Sequence, residues 1–286
     1  MKILLSLLLI WHSVSFSSVH KTIQMLEEKS GGRLGISAID TSNHHVIEYR
    51  SAERFPFCST FKVMGVAAIL KASMKDDEFL KRKIHYTKKE LVEYSPITEN
   101  HINDGMTIAE LCHATITTSD NTAMNLLMRL LGEPNAVSAF ARTIGDHHFH
   151  LTRWEPELNS AIPDEKRDTT TPKAMRMSLQ ELLLGSALKY EQRKLLRYWL
   201  IHNTTGDHRI RVAVSKEWVV ADKTGTGGYG TTNDIGIVYP SHCKPIVLAI
   251  YFTQKEKNAP VNETIIASVT KIVMNEFGKK NTCLLK

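Results

Sequence analysis

Strand-like and helical segments follow one another in an order that limits the folds this chain can adopt. The stretch from about residue 58 to 203 has apolar residues at helical spacing, whereas runs rich in β-branched and aromatic residues lie towards both ends. These runs are 33–39, 45–49, 218–221, 235–239 and 246–252. Strands from both ends join most simply in one sheet, which leaves the middle as a helical lobe with a ligand cleft between the two.

We therefore expect an α/β fold of the α+β type, in which an antiparallel five-stranded sheet is flanked by helices and a large all-helical lobe is inserted. Residues 18–50 and 204–286 are assigned to the α/β lobe, and residues 51–203 to the all-helical lobe. The active site is expected between them. A chain of 286 residues, 42% of them hydrophobic, can bury an ample core.

The first 17 residues have the pattern of a secretory signal peptide. Met1 and Lys2 precede the apolar run 3–11, and Ser15 and Ser17 have the spacing that a signal peptidase reads. The run is too short for a permanent membrane span. The pattern predicts cleavage near Ser17, a periplasmic or secreted protein and no membrane association afterwards, with a retained anchor as the alternative.

The formal charge of +6 does not indicate a nucleic-acid partner. Lysines and arginines are scattered among acidic residues, and the densest basic cluster, at 81–83 and 88–89, contains few aromatic residues that could stack on bases. We interpret this cluster as a solvated face and expect no nucleic-acid binding.

Ser59 and Lys62 are three residues apart at the start of an apolar helical run, which places both side chains on one face. Lys62 could then hydrogen-bond Ser59. A serine hydroxyl needs a base to become a nucleophile, and a buried lysine with a lowered pKa can act as that base or assist one. Alone, the spacing is equally typical of a helix cap followed by a surface lysine.

Two further motifs follow in the chain. Ser119, Asp120 and Asn121 precede another helical run, where each residue type also favours an N-cap position. The run 223–225, Lys-Thr-Gly, follows a strand-like segment and could be an ordinary turn. Together with Ser59, these motifs form the S-x-x-K, S-D-N and K-T-G set of class A β-lactamases and penicillin-binding proteins.

With these motifs, the chain resembles the class A β-lactamases over nearly all its length beyond residue 17. A fourth segment, 155–159, matches that family's E-x-x-L-N. The resemblance implies that Glu155 is the general base for deacylation and that Asn159 orients the water. Penicillin-binding proteins lack this pair. It also implies an omega loop at 153–168, pinned by pairing of its terminal charges at Arg153 and Asp168, with a cis bond between Glu155 and Pro156.

The resemblance further assigns the handling of protons and charge. It implies that Ser119 passes a proton to the departing lactam nitrogen and that Asn121 holds the substrate's side-chain amide. Lys223, with Thr224 and Thr226, would bind the substrate carboxylate.

Backbone groups and two side chains complete the implied site. The N–H groups of Ser59 and Thr226 would form the oxyanion hole, and Gly225 belongs to the same substrate-binding strand. Arg209 resembles the family's carboxylate-binding arginine, although it could be a surface residue. Tyr94 resembles the aromatic residue at the cleft entrance, with a core tyrosine as the alternative.

The four cysteines depart from the family pattern. Cys58 precedes the nucleophile as in carbapenem-hydrolysing members, but the position of its usual partner is Gly227. Cys112 would pair with the position held by Val66. We expect neither bridge, so the sequence gives no support for carbapenem turnover. The pairing of the cysteines cannot be deduced from their spacing.

Two motifs resemble cofactor or metal sites but lack a feature that each site requires. The run 225–230 fits a dinucleotide-binding pattern, but a strand follows where a helix is required. His147, His148 and His150 cluster without a carboxylate or cysteine to complete a zinc site, and we interpret them as surface residues. No cofactor and no metal are expected.

The sequence thus predicts a serine β-lactamase that hydrolyses penicillins and cephalosporins through an acyl-enzyme on Ser59. Its expected partner is a small β-lactam, and a monomer is expected. A D-alanyl-D-alanine carboxypeptidase or penicillin-binding protein is the alternative enzyme, and a covalently acylated sensor is the non-catalytic one.

Overall fold

The computed structural model describes residues 18–285, in which five long strands form one antiparallel sheet. The predicted signal peptide at 1–17 lies outside the described residues. The long strands are β1 Arg33–Asp40, β2 His45–Tyr49, β7 Val219–Gly227, β8 Thr231–Tyr239 and β9 Ile246–Thr253; the two-residue strands are β3 Phe55–Pro56, β4 Lys83–Ile84, β5 Met106–Thr107 and β6 Thr169–Thr170. The sheet order is β2-β1-β9-β8-β7, and every neighbouring pair is antiparallel.

Eight α-helices surround this sheet in the part of the chain that the structure describes. They are α1 Ser18–Ser30, α2 Lys62–Ser73, α3 Ile108–Thr117, α4 Asn121–Leu131, α5 Pro134–Thr143, α6 Pro172–Leu183, α7 Tyr190–Ile201 and α8 Glu263–Lys280. Short 3-10 helices, including Cys58–Phe61 and Glu157–Ser160, connect them. The predicted sheet and its flanking helices are confirmed. No helix within 18–285 is both long and apolar enough to cross a membrane.

The sheet is buried on both faces, and strand β9 shows how. Leu248 and Ile250 contribute to the core cluster that also contains residues of α1 and α8. Ala249 and Tyr251 belong to the larger cluster built mainly from helices α2 to α7. Because successive side chains of a strand point to opposite faces, one almost wholly apolar strand serves two cores. The exact division into lobes at residues 50 and 203 stays a prediction.

One strand is longer than the sequence-based expectation. Strand β7 does not end near Ala221 but continues through the Lys-Thr-Gly motif to Gly227, because it pairs with β8 along this whole length. Helix α8 begins at Glu263, after Asn262 caps it by accepting the backbone N–H of Ile265 at 3.2 Å. Helices α5 and α6 each begin with a proline.

Candidate active site

Ser59 lies in the 3-10 turn Cys58–Phe61 that leads directly into α2, so the predicted helical context is confirmed. Two contacts fix this turn. Strand β3, just before it, pairs with β6, and the backbone N–H of Phe57 donates to Asp168 O at 3.2 Å. Cys58 has φ 46°, in the left-handed region that non-glycine residues seldom adopt. Such conformations are typical of functional sites, where surrounding contacts hold them.

Lys62 is completely buried in the first turn of α2, and its side chain contacts three residues. Its Nζ lies 3.0 Å from Glu155 Oε1. It donates to Asn121 Oδ1 at 2.6 Å and to the backbone oxygen and Oγ of Ser119 at 2.7 and 3.3 Å. Within the described residues, Lys62 forms no hydrogen bond to Ser59, although the sequence had suggested one. The amine instead contacts acceptors at the buried end of the site.

Glu155 is held from its backbone as well as from its carboxylate. Asn125 on α4 accepts the Glu155 backbone N–H at 3.0 Å and donates to the Glu155 oxygen at 2.9 Å. Asn159 Nδ2 donates to Glu155 Oε2, and Ser59 Oγ lies 3.5 Å from Glu155 Oε1. The Glu155–Pro156 bond is cis, as the resemblance implied. The carboxylate is therefore aimed at the Ser59 hydroxyl.

The loop that carries Glu155 is closed at its base by Arg153 and Asp168, which form the predicted ion pair. Asp168 Oδ1 also accepts the backbone N–H groups of Thr152 and Arg153 at 2.8 and 3.1 Å. Arg153 Nη1 donates to Ser160 Oγ at 3.0 Å. Because Asp168 is 1% exposed, this charge is satisfied within the protein and the loop has a fixed base.

Strand β7 forms the wall opposite this loop, and two glycines allow its approach. A Cβ at Gly225 would lie 2.7 Å from Phe57 O, beside the turn that carries Ser59. A Cβ at Gly227 would lie 2.5 Å from Asn159 O and 2.6 Å from Cys58 Sγ. The glycine-rich run thus permits close backbone contact with the other two segments. Since it connects β7 to β8, its interpretation as a hairpin connection is confirmed.

Lys223 and Ser119 connect this strand to α4. Lys223 Nζ donates to Ser119 Oγ at 3.0 Å and to Thr224 O at 3.1 Å. Ser119 has φ 62° and precedes Asp120, which is the N-cap of α4 and accepts the backbone N–H of Ala123 at 2.8 Å. The Ser119 hydroxyl therefore lies between two buried lysines, Lys62 and Lys223, in a position from which a proton can be exchanged.

Arg209 is 4% exposed, so the surface alternative is wrong. Its Nη1 donates to the backbone oxygens of Gly225 and Asn233 at 3.0 and 2.6 Å, and its Nη2 donates to Thr226 Oγ1 at 2.9 Å. Its Nε contacts Glu263 Oε1 at 3.0 Å. The guanidinium thus lies behind β7 at the hydroxyl of Thr226.

These elements enclose a cleft of about 790 Å³. Its lining includes the predicted residues Ser59, Tyr94, Ser119, Asn121, Asn159, Arg209, Thr224 and Thr226. Lys62, Glu155 and Lys223 lie beneath it and are buried. Tyr94 is 57% exposed, which excludes the core alternative. The twelfth predicted site residue, Gly225, lies in β7 against the turn that carries Ser59, so the predicted residues lie together around one cleft.

Burial changes the acid–base properties of this site. Burial lowers the pKa of Lys62, although the neighbouring Glu155 opposes this effect. Burial lowers the pKa of Lys223 further below its ordinary value, and the charge of Lys62 adds to the effect. Both amines consequently lose a proton more readily than an exposed lysine, which suits proton transfer and makes the charge of Lys223 sensitive to pH.

Sequence reasoning missed several residues of this site. Asn125, which holds the backbone of Glu155, follows Asn121 by four residues and so lies on the same helix face; that spacing was an available signal. Nothing in the sequence pointed to Glu263 as the partner of Arg209. The buried carboxyl of Asp234 was also missed; burial and the neighbouring Asp222 raise its pKa well above the ordinary value.

The described cysteines and histidines are not among the residues that line the cleft. Cys58 and Cys112 are free and buried, and burial raises the pKa of both thiols. A disulfide joins Cys243 to Cys283. His147, His148 and His150 are exposed. Within 18–285, no group of three or more potential ligands is placed to hold a metal ion.

A nucleophilic serine, a buried lysine and an oriented carboxylate define the acyl-transfer class of serine enzymes. A model of the Beta-lactamase enzyme family matches residues 18–277. β-Lactamase CTX-M-97 from Escherichia coli is 50% identical over 261 residues, which are 91% of this chain and 90% of that protein. A β-lactamase from Proteus vulgaris is 50% identical over 262 residues, which are 92% of this chain and 97% of that protein.

Solved structures give the same result. The crystal structure of a β-lactamase from Desulfarculus baarsii matches with a TM-score of 0.90 and 46% identity, covering 91% of this chain and 97% of that one. A variant of the last common ancestor of Gram-negative bacteria class A β-lactamase matches with a TM-score of 0.90 and 48% identity, covering 93% of this chain and 100% of that one. This chain belongs to the β-lactamase enzyme family, and within it to class A.

Proposed function

We propose that this protein hydrolyses the β-lactam amide of penicillins and cephalosporins in two steps through an ester on Ser59. The observation that carries the proposal is a buried carboxylate, Glu155, that contacts both the Ser59 hydroxyl and the buried amine of Lys62. Glu155 Oε1 lies 3.5 Å from Ser59 Oγ and 3.0 Å from Lys62 Nζ. This arrangement supplies a nucleophile together with groups that accept its proton.

In the first step, Ser59 Oγ forms a bond to the lactam carbonyl carbon, and the Lys62–Glu155 pair takes the hydroxyl proton. The backbone N–H groups of Ser59 and Thr226 stabilise the oxyanion, each contributing about 3 kcal/mol. The carbon–nitrogen bond then breaks, and Ser119 delivers a proton to the nitrogen. Support for this role is the Ser119 hydroxyl, which lies 3.3 Å from Lys62 Nζ and 3.0 Å from Lys223 Nζ.

In the second step, Glu155 takes a proton from a water molecule, whose oxygen attacks the ester carbonyl carbon. The bond from this carbon to Ser59 Oγ then breaks, and Oγ regains a proton from the Lys62–Glu155 pair. Two features support a water site here. Asn159 Nδ2 orients the carboxylate by donating to Glu155 Oε2. Asn159 Oδ1 is buried and, among the described residues, has no hydrogen-bond partner. A buried carbonyl oxygen of this kind is satisfied by an ordered water.

Residues of the cleft walls bind and orient the substrate. Lys223, Thr224 and Thr226 bind the substrate carboxylate along β7, with the buried Arg209 contributing positive charge behind Thr226. Asn121 holds the substrate's side-chain amide, and Tyr94 flanks the cleft entrance. The peptidase alternative is not favoured, because penicillin-binding proteins lack the pair that Glu155 and Asn159 form here.

We also propose that the protein is exported and acts as a monomer in the periplasm or outside the cell, without membrane association. The Cys243–Cys283 disulfide supports export, because such bonds persist in oxidising compartments. The division into an α/β lobe and a helical lobe joined across the cleft belongs to the same proposal.

Covalent labelling of Ser59 tests the proposed nucleophile. Benzylpenicillin is added to wild-type protein, to Ser59→Ala and to the control Ser241→Ala at an exposed serine, and hydrolysis and intact mass are measured. We expect wild type and the control to turn over the antibiotic and Ser59→Ala to lose both turnover and the acyl adduct. Undiminished hydrolysis by Ser59→Ala would contradict the mechanism.

A further inference from the structure

A second cavity, which we call the α6 cavity, lies apart from the catalytic cleft and shares none of its lining residues. It has a volume of about 680 Å³. Its walls come from α6, from the loop that follows α5 and from the end of β1. Ile39, Ile144, Met177 and Leu184 supply apolar surface. A cavity of this size and composition is suited to a small organic molecule.

Arg176 of α6 is the unusual polar residue of this cavity, because its guanidinium is buried without a paired charge. The residue is 7% exposed. Its Nε donates to Ser37 Oγ and its Nη1 to Gln180 Oε1, both at 3.1 Å. Within 18–285, no carboxylate lies at ion-pair distance from this group and no acceptor takes a hydrogen bond from Nη2. The cation therefore retains donors that the protein does not use.

Glu48 is the carboxylate that influences Arg176, and it does so across an intervening hydroxyl. Glu48 Oε1 lies 3.4 Å from Ser37 Oγ, so the serine hydroxyl stands between this carboxylate and the guanidinium. Burial lowers the pKa of Arg176, and Glu48 opposes the effect. A buried cation without a directly bonded anion is costly, which makes an external anion favourable here.

Within 18–285, the two acidic residues that line the cavity form no ion pair with Arg176. Asp146 accepts the Ser178 hydroxyl at 2.8 Å as well as two backbone N–H groups of its own loop. Glu181 accepts the backbone N–H of Ser186 at 2.9 Å. Lys173 lines the cavity without an ion pair among the described residues, so its charge adds to that of Arg176.

We propose that the α6 cavity binds a small monocarboxylic acid with an apolar body. The carboxylate accepts hydrogen bonds from the free donors of Arg176, and the hydrocarbon part lies against Ile39, Ile144 and Met177. Charge-assisted hydrogen bonds of this kind are stronger than neutral ones and fix the orientation of the ligand. The site is separate from the β-lactam cleft, and binding does not depend on catalysis.

The charge of the cavity decides between a carboxylate and a phosphate. The lining also holds the carboxyl groups of Asp146 and Glu181, which repel a dianion more strongly than a monoanion, and the second cation, Lys173, is exposed to solvent. A dianion would remain under-compensated and would lose hydration that the apolar walls cannot replace. A monoanion with a hydrophobic body uses both the donors and the walls.

Calorimetric titration of the full chain with cyclohexanecarboxylate tests the proposal. Cyclohexanecarboxamide keeps the body but removes the charge, and acetate keeps the charge but removes the body. We expect saturable binding of cyclohexanecarboxylate, and binding of the amide, acetate and inorganic phosphate weaker by about tenfold or more. Equal binding of the amide, tighter binding of phosphate, or no saturable binding of the acid would overturn the proposal.

Variants locate the bound acid. Arg176→Gln is expected to weaken cyclohexanecarboxylate binding by about tenfold or more, because the charged donors are lost. Arg142→Gln, at an exposed arginine that does not line the cavity, is the matched control and should bind as wild type does. Folding of each variant is checked by its β-lactam turnover, which should be unchanged. Full affinity in a folded Arg176→Gln protein would contradict the proposal.

Discussion

Lys62 Nζ lies 3.0 Å from Glu155 Oε1, and both side chains are completely buried. Each group also contacts a hydroxyl that faces the cleft: Lys62 contacts that of Ser119, and Glu155 contacts that of Ser59. A proton at this pair can therefore exchange with either hydroxyl. Removal of one member of the pair should also destabilise the fold, because it leaves a buried charge without a partner.

Lys62→Met tests the role of this pair in acylation. The variant removes the amine that lies between Glu155 and Ser119, and we expect the acylation rate to fall by about 100-fold or more. The rate is measured by stopped flow with a chromogenic cephalosporin. Lys71→Met, on the same helix but bonded to Ala187 O at 2.7 Å, controls for loss of a lysine and should acylate normally. Unimpaired acylation by Lys62→Met would exclude Lys62 from proton transfer.

The charge of Lys223 should set an alkaline limit for substrates that carry a carboxylate. Its pKa is lowered by burial, so the ammonium form is lost as pH rises through a value below the ordinary lysine value of about 10.4. The kcat/KM for benzylpenicillin should fall through this range. In Lys223→Arg the guanidinium remains charged, so the fall should move to higher pH. An identical alkaline limb in the variant would contradict the assignment.

The Cys243–Cys283 disulfide should stabilise the fold without affecting catalysis. It closes a separation of 40 residues between the loop after β8 and the segment after α8. The chain-entropy model gives about 4 kcal/mol for a loop of this length. Replacement of both cysteines by serine should lower the free energy of unfolding by up to about this amount, measured by urea denaturation. Unchanged stability would show that the bridge does not constrain the unfolded chain.

The sequence was sufficient to predict those features that depend on local pattern. The strand-like runs at both ends did join in one sheet, and the motifs at Ser59, Ser119 and Lys223 did converge on one cleft. Each motif is a short stretch in which helix or strand geometry fixes the relative positions of side chains. The resemblance supplied the roles that spacing alone left open, including that of Glu155.

Features that depend on contacts between distant segments could not be predicted in this way. The pairing of Arg209 with Glu263 joins residues 54 positions apart, and no local pattern indicates it. The Cys243–Cys283 bridge was one of several possible pairings. The expected bond from Lys62 to Ser59 was wrong for the same reason, because acceptors from α4 and from the omega loop determine where the amine points.

The account depends most on water activation by Glu155, and Glu155→Gln tests this directly. Glutamine retains the shape but cannot accept the proton, so deacylation should slow by about 10³-fold, whereas acylation of Ser59 continues with the Lys62 amine as the proton acceptor. Glu157→Gln, at an exposed carboxylate of the same loop, is the matched control and should turn over substrate normally.

The decisive measurement is the intact mass of Glu155→Gln after brief exposure to benzylpenicillin. We predict that most of the protein carries one opened antibiotic as a stable adduct, whereas wild type and Glu157→Gln return to their unmodified mass. Wild-type turnover by Glu155→Gln without an accumulating adduct would contradict the proposed mechanism.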